Sequence, residues 1–296
     1  MSQEMVAGAP NASNASKAPT GPTPPSSPLV FPEHLRPPIA PYIPGSSPPG
    51  FRVLPHLTLT YAASLDSSLS LSPGTQTLLS GPQSKAMTHF LRARHDAILV
   101  GAGTAIADDP GLNCRLEGAA HQPRPVVLDH AARWDVQESA RVLHTARLGE
   151  GKGVWVLVAE GTPYPARRRQ VIEEGGGKII HLPSAGDGQR RFKWTDILVT
   201  LGAQGIHTVM VEGGGAVIND LLRPGNDAHI TSVIITIAPT YLGKGGVVVS
   251  PDQRRETQPE GRRVAATTFV DVSWAVMGSD AVFCGRINPT VSTAGK

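Results

Sequence analysis

Cysteine is scarce in this chain, and aromatic residues and long apolar runs are scarce as well. Cys114 and Cys284 are the only cysteines among 296 residues, and Phe, Trp and Tyr together make up 5%. Two cysteines exclude a disulfide scaffold and any zinc site built on several thiolates. They fit a reducing compartment, so we expect a cytoplasmic protein. No run of 18 apolar residues occurs, so no membrane-spanning helix is expected, and the N-terminus lacks the pattern of a secretory signal.

A strong excess of one charge is also lacking. Lys and Arg number 27 against 24 Asp and Glu, which gives a formal net charge of +3. The basic clusters at 167–169 and 190–191 are interpreted as solvated faces or loops, because a nucleic-acid-binding protein concentrates its basic residues on a stripe. We therefore expect no nucleic-acid partner. The histidines show no His-x-x-x-His spacing, and no metal site is expected.

Proline is abundant but unevenly placed, with 13 of the 27 prolines in residues 1–50. In the first 30 residues only Glu4 and Lys17 are charged, while Pro, Ser, Ala and Asn dominate. Such a segment has too little apolar surface to offset the entropy lost on ordering. The pattern predicts a disordered tail over residues 1–50 and one folded domain over residues 51–296.

From residue 51 onward, short apolar strands alternate with helical patterns. This alternation predicts an α/β fold with a mostly parallel central sheet and helices on both faces. Strands are predicted at 56–62, 97–100, 125–128, 154–159, 178–182, 207–211 and 232–238, and helices at 84–94, 166–174, 194–203 and 216–222. Ser80 or Ser84 is expected to cap the first helix. The segments 267–274 and 281–286 predict an antiparallel hairpin at the C-terminal edge of the sheet.

Two of these predicted strands are followed by residues typical of ligand sites. Ligands of parallel sheets bind beyond the carboxyl ends of the strands. After the first strand, the small residue Ala62 would allow close approach to the backbone, although a plain polar turn explains the segment equally well. The run 101–115 combines two glycines with Thr104, Asp108 and Arg115, which suits a phosphate ester. It does not match the dinucleotide-binding glycine fingerprint, which needs Gly or Ala where Ile106 stands.

A third site follows the strand at 207–211, in the sequence VEGGGAVIN of residues 211–219. Three consecutive glycines before a helix allow a backbone to approach an anion closely. Glu212 is unusual beside a phosphate and is better explained as an acceptor for donor groups on a ring or sugar. A carboxylate that serves only the helix terminus is the alternative.

Taken together, these segments resemble the riboflavin-biosynthesis reductases. These are the fungal and archaeal 2,5-diamino-6-ribosylamino-4(3H)-pyrimidinone 5′-phosphate reductases and the reductase half of the bacterial bifunctional enzyme. The matching stretches are 57–66, 87–115, 124–129, 211–215 and 238–243, and the resemblance spans about residues 51–290. The most specific stretch is Thr-x-x-x-Asp-Asp-Pro-x-Leu-x-x-Arg, from Thr104 to Arg115.

The resemblance implies a dihydrofolate-reductase-like fold, a homodimer, and NADPH as the cofactor, with NADH left open. The positions that fall where the family holds the cofactor are Ala62, Thr104, Asp108, Ala159, Gly213, Gly214, Gly215, Ala216 and Val217. Those that fall at the phosphorylated pyrimidine substrate are Thr75, Arg92, Leu112, Arg115 and Glu212. Where the bacterial pattern has a lysine this chain has Ser68, so no role is assigned to position 68.

The reaction implied by the resemblance is reduction of the ribosylamino side chain to the ribitylamino form. A hydride from NADPH would reach C1′ of the open-chain imine, and the protein would mainly orient the reactants. Arg92 and Arg115 would anchor phosphate or other polar groups, Glu212 would hold an orienting hydrogen bond, and no catalytic acid is assigned. Two alternatives stay open: a reductase of the same fold that acts on a pterin or folate-like ring, and a nucleotide-binding module without catalysis.

Overall fold

The computed structural model describes residues 28–45, 54–255 and 262–288. The strands are β1 (His56–Ala63), β2 (Ser68–Ser70), β3 (Ala97–Gly101), β4 (Arg124–Leu128), β5 (Trp155–Ala159), β6 (Lys178–Leu182), β7 (Thr208–Gly213), β8 (Ser232–Ile237), β9 (Val247–Val248), β10 (Arg254–Arg255), β11 (Arg263–Val264), β12 (Phe269–Met277) and β13 (Asp280–Ile287). The α-helices are α1 (Pro82–Arg92), α2 (Ala102–Asp108), α3 (Arg141–Arg147), α4 (Ala166–Glu174), α5 (Trp194–Ala203) and α6 (Gly215–Leu221).

One nine-stranded sheet organises the molecule, in the order β12-β13-β8-β1-β7-β3-β4-β5-β6. The strands from β8 to β6 in this order run parallel to one another. Strand β13 is antiparallel to β8, and β12 is antiparallel to β13. The predicted α/β class and the antiparallel C-terminal edge are therefore confirmed. Because the parallel strands end at one edge of the sheet, the loops that follow them meet there.

Apolar side chains cover both faces of this sheet. In β3, Ala97 and Leu99 face one hydrophobic cluster, while Ile98 and Val100 face another. Helices α5 and α6 pack on the first face, and helices α3 and α4 pack on the second. Burial on both faces explains why the parallel strands read as continuous apolar runs in the sequence.

The beginning of α1 differs from the prediction. Gly81 is the N-cap residue, and no side chain caps the helix. Pro82 occupies the first turn, where its fixed φ suits a helix and its missing N–H costs nothing. The Gly81 N–H donates instead to a carboxylate oxygen of Asp280 at 2.8 Å. The expectation that Ser80 or Ser84 caps this helix is wrong.

Residues 28–45 fall inside the segment predicted to be disordered, and for them the prediction is wrong. Phe31, Ile39 and Tyr42 are buried in a cluster with Phe90 of α1. The prolines between them restrict the unfolded chain, so fewer conformations are lost when these side chains pack. Residues 1–27 and 46–50 lie outside the described residues, and there the disordered tail stays a prediction. Within the described ranges, no helix combines the length and the apolar character needed to cross a bilayer.

Candidate active site

A cleft of about 1600 Å³ opens at the carboxyl edge of the parallel strands. Its walls come from the segments after β1, β3, β4 and β7, together with residues 189–197 and 247–252. Each of the three strand ends singled out in the sequence contributes to these walls. Pockets for one drug-sized ligand measure roughly 300–1,000 Å³, so this cleft is large enough for a dinucleotide and a second molecule.

Most of the predicted site residues line this cleft. They are Ala62, Thr75, Thr104, Asp108, Glu212, Gly214, Gly215, Ala216 and Val217. Two others lie just behind its walls: Gly213 precedes Gly214 through a cis peptide bond, and Ala159 donates its N–H to the carbonyl of His130, a cleft residue, at 3.1 Å.

The remaining predicted residues, Arg92, Leu112 and Arg115, are set back from the cleft surface. The Leu112 side chain is buried in the cluster that also holds Ala105 and Trp134. Arg92 is paired with Glu212, and Arg115 lies beside His89. Their roles at the substrate stay predictions.

Two glycines of these loops are required by packing between the loops. A Cβ on Gly214 would lie 2.7 Å from Thr104 Oγ1, and one on Gly101 would lie 2.8 Å from Val217 Cγ2. A Cβ on Gly103, in contrast, would meet no atom within 4 Å. The segments that follow β3 and β7 therefore contact each other closely, while Gly103 leaves its backbone open toward the cleft. The sequence interpretation attributed these glycines to the approach of a ligand. In the structure, Gly101 and Gly214 are required by packing between the loops, and Gly103 is the one that leaves room for a ligand.

Glu212 and Arg92 form a bidentate ion pair at the cleft wall. Arg92 Nε donates to Glu212 Oε1 at 2.8 Å, and Nη2 donates to Oε2 at 2.6 Å. Arg92 Nη1 donates to the carbonyl of Asn113 at 2.9 Å. Burial by itself lowers the pKa of Arg92, but the Glu212 carboxylate outweighs burial and the pKa is raised. Arg92 therefore fixes the orientation of Glu212 and connects it to the loop after α2.

The opposite wall of the cleft carries positive groups that the sequence analysis did not assign. His130, Arg133 and Arg190 line this wall. The pKa of His130 is lowered, mainly by burial and also by the charge of Arg190. The cluster at 190–191, predicted to be a solvated face or loop, lies in the loop after β6, where Arg190 is exposed and both residues line the cleft. The position of this loop could have been predicted, because β6 ends at the same edge of the sheet as the other parallel strands.

Two carboxylates in these loops have shifted pKa values. Burial raises the pKa of Asp108 in the cleft. The pKa of Asp66 is lowered by a hydrogen bond from the Ser64 hydroxyl and by the N–H groups of Leu242 and Gly243. Asp66 thus holds the 240–243 loop beside the end of β1. Among the described residues, no group of His, Cys, Asp and Glu is arranged to hold a metal ion.

The fold and the motifs at its strand ends match a known protein family. The profile of the RibD C-terminal domain matches residues 55–283. The chain belongs to this family. The match covers both sides of the cleft, from β1 to β13, and confirms the resemblance to the riboflavin-biosynthesis reductases.

Two fungal proteins are similar to this chain over most of their length. A protein of Debaryomyces hansenii is 36% identical over 256 residues, which cover 86% of this chain and 98% of that protein. One of Saccharomyces cerevisiae is 35% identical over 249 residues, which cover 83% and 92%. Both are named 2,5-diamino-6-ribosylamino-4(3H)-pyrimidinone 5′-phosphate reductase.

Solved structures of RibD-type proteins share the fold. The riboflavin biosynthesis reductase Rib7 of Saccharomyces cerevisiae aligns with a TM-score of 0.69 at 32% identity, covering 86% of this chain and 100% of that one. A bifunctional deaminase/reductase of Thermotoga maritima aligns with a TM-score of 0.58 at 24% identity, covering 79% and 57%. The second likeness supports the fold alone.

Proposed function

We propose that this chain reduces the ribosylamino side chain of 2,5-diamino-6-ribosylamino-4(3H)-pyrimidinone 5′-phosphate to the ribitylamino form, in riboflavin biosynthesis. The observation that carries the proposal is one cleft that joins the Thr104–Gly214 contact to the Glu212–Arg92 ion pair. Fungal relatives that match 83–86% of this chain and 92–98% of their own length are named for this reaction.

The walls of the cleft fit a nicotinamide dinucleotide. Gly103 leaves room beside the backbone, and Thr104 offers a hydroxyl next to Gly214. Arg133 and Arg190 give this wall positive charge, which suits the anionic part of such a molecule. A bound nicotinamide supplies the hydride that reduces C1′ of the open-chain imine.

NADPH is the form of the cofactor that we propose. It differs from NADH by a phosphate on the adenosine ribose, and arginine binds phosphate through paired N–H donors. Arg133 and Arg190 line the cleft, and among the described residues neither takes part in an ion pair. Arg133→Ala should raise the KM for NADPH about tenfold and leave the KM for NADH within twofold. Equal effects on both nucleotides would assign Arg133 to something other than this phosphate.

Glu212 lies where it can orient the substrate. Its carboxylate is held by Arg92 from behind and faces the cleft, so it can accept a hydrogen bond from a ring or sugar N–H or O–H group. A fixed acceptor lowers the cost of aligning the substrate before reduction. Thr75, on the loop that precedes α1, lies on the same cleft and offers a hydroxyl.

The deciding experiment follows NADPH oxidation by absorbance after addition of the ribosylamino substrate. We expect turnover with this substrate and none with dihydrofolate, which would be the substrate of the pterin alternative. Glu212→Gln should lower kcat/KM by about tenfold or more, with a control variant at exposed Arg167 unchanged. Saturable NADPH binding without any turnover would instead support the non-catalytic module.

A homodimer is proposed as the assembly, with the edge strand β12 as the contact surface. Val272, Trp274 and Val276 alternate along this strand and project from one face, with Trp274 60% exposed and Val276 73% exposed. A row of apolar side chains on an edge strand is suited to a second copy of the chain. Light scattering should report a dimer for the native chain and a monomer for Trp274→Glu. A monomeric native chain would remove the proposal.

We also propose that the reaction takes place in the cytoplasm. Both cysteines are free and buried in the structure, which suits a reducing compartment. A fluorescent fusion imaged in cells would test the location, and enrichment in an oxidising compartment would contradict it.

A further inference from the structure

The imidazole of His130 is held in a fixed orientation on the cleft wall, just after β4. One side of the ring packs against Phe192, with the two ring centroids 5.0 Å apart and the ring planes inclined by 43°. Its Nε2 atom lies 2.9 Å from Ser184 Oγ, within hydrogen-bonding distance. Both His130 and Phe192 line the cleft. The ring is therefore supported from one side by Phe192 and held at its edge by Ser184.

His130 presents more of its ring to a ligand than its aromatic neighbours do. Phe192 and Trp194 also line the cleft, but they are only 4% and 2% exposed and belong to the hydrophobic cluster behind the wall. His130 is half-buried. Because Phe192 covers one side of the imidazole, the accessible side faces the cleft. A supported aromatic ring with one open face is suited to stacking against another flat ring.

The place of His130 along the sheet indicates which part of a dinucleotide reaches it. The cleft residues follow four neighbouring strands in the order Ala62 (β1), Gly214 (β7), Thr104 (β3) and His130 (β4). Neighbouring strands are about 4.8 Å apart, so His130 lies two strands, or roughly 10 Å, from the end of β7. A nicotinamide that reduces a substrate held by Glu212 lies at the end of β7. Its adenosine half then extends along the strand ends toward β4.

The loop that carries His130 also carries Arg133, the residue proposed above for the phosphate on the adenosine ribose. The carboxylate of Asp129 accepts from the N–H groups of Arg133 at 2.9 Å and Trp134 at 2.8 Å. This turn fixes His130 and Arg133 relative to each other. The pKa of His130 is lowered by burial and by the charge of Arg190, so the Arg190 guanidinium lies near the imidazole. A base on His130 thus brings its ribose phosphate next to arginine side chains.

We propose that His130 is a cofactor-binding residue whose imidazole stacks against the adenine ring of the dinucleotide. Phe192 and Ser184 are positioning residues, which act through the imidazole. The inference rests on the proposed function for the nature of the cofactor. Stacking contributes equally to the affinity for NADPH and NADH, because both carry adenine, whereas Arg133 distinguishes between them.

The test measures dissociation constants for NADPH, for NADH and for two halves of NADPH. The halves are adenosine 2′,5′-bisphosphate and reduced nicotinamide mononucleotide. Fluorescence of the reduced nicotinamide follows binding of three of these ligands, and competition against NADPH gives the constant for the adenosine half. His130→Ala removes the stacking ring, and His130→Phe keeps an aromatic ring. His181→Ala, at an exposed histidine of β6, is the matched control.

His130→Ala should raise the dissociation constants of NADPH, NADH and the adenosine half by about tenfold each, because stacking on one base is lost. Its dissociation constant for the mononucleotide should stay within about twofold of the native value, as should all constants in the control variant. His130→Phe should bind NADPH nearly as tightly as the native chain, since a ring of similar shape remains. A role confined to folding would instead lower the melting temperature and weaken all four ligands alike.

Native affinities in His130→Ala, or equal weakening of both halves, would overturn the stacking role of His130. Weakening of the mononucleotide alone would place the nicotinamide half at His130 and refute the proposed orientation. The proposed function is tested separately, by NADPH oxidation in the native chain. If the native chain binds NADPH but does not reduce the ribosylamino substrate, the proposed function fails, and the dissociation constants still decide the role of His130. A native chain that binds no NADPH would refute both.

Discussion

Replacing Arg92 with methionine removes one half of the ion pair that holds Glu212. The pair has two charge-assisted hydrogen bonds of 2.6 and 2.8 Å, and the two side chains are only 14% and 15% exposed. Methionine fills much of the same volume, but it leaves the Glu212 carboxylate without its cation. It also leaves the Asn113 carbonyl without a donor.

Removing one partner of a fully buried pair costs about 3–5 kcal/mol. The partial exposure of both side chains lets water solvate the remaining carboxylate, so we expect Arg92→Met to lower the free energy of unfolding by about 2–3 kcal/mol. Glu212→Gln should cost less, since the amide oxygen still accepts from the guanidinium. The double variant should then be more stable than the sum of the single losses predicts, by about 1–3 kcal/mol.

Urea unfolding monitored by circular dichroism measures each of these values. Arg167→Met provides the control, because Arg167 is exposed and should change stability by less than about 0.5 kcal/mol. The reasoning is refuted if Arg92→Met is as stable as this control, or if the losses of the two single variants simply add.

Three further results are expected. Gly214→Ala should lower stability and weaken NADPH binding, since its Cβ would lie 2.7 Å from Thr104 Oγ1. Adding Thr104→Ala to this variant should recover part of the lost stability. Gly103→Ala is the control and should keep the native melting temperature in calorimetry. Burial lowers the pKa of His95 from 6.5 to about 4, so the unfolded state takes up a proton before the folded state as the pH falls. The contribution of His95 to the free energy of unfolding should therefore fall by about 3 kcal/mol between pH 6.5 and 4, and the pH dependence of stability over this range should be shallower by about one proton in His95→Gln than in the native chain. Asp66→Asn should weaken the hydrogen bonds to the N–H groups of Leu242 and Gly243, and hydrogen exchange at these amides should speed up while exchange in β1 is unchanged.

The elements that sequence reasoning located well are those whose own residues specify them. Strand β3 is a continuous apolar run, and α5 ends at Ala203, two residues before Gly205. The position of each element therefore follows from its own sequence. Helices α2 and α3 were missed, although α6 has the same length of seven residues, also lacks a side-chain cap and was predicted. The N–H of Arg141 at the start of α3 is bound instead by Asp109, 32 residues earlier, at 3.0 Å. Such helices depend on tertiary contacts, which local propensity does not report.

The candidate site was predictable to a similar degree. Thr104, Glu212 and Gly214, which the strand-end motifs singled out, line one cleft. Glu212 and Arg92 are 120 positions apart in the chain, so no local sequence pattern predicts that they form an ion pair. That the loop at Arg190 also lines the cleft could not be predicted for a related reason, since a basic cluster has the same sequence whether or not a ligand cleft lies beside it.

The stretch before β1 has a consequence for how this protein can be shortened. Leu29 forms backbone hydrogen bonds on both sides of Leu116, donating to the carbonyl of Arg115 at 2.8 Å and accepting from Glu117 at 2.9 Å. The family match begins only at residue 55. A polypeptide trimmed to that boundary would keep every residue that lines the cleft but would lose the backbone hydrogen bonds that Leu29 makes beside Arg115. We therefore expect such a fragment to contain the whole cleft but to be less stable than the full chain.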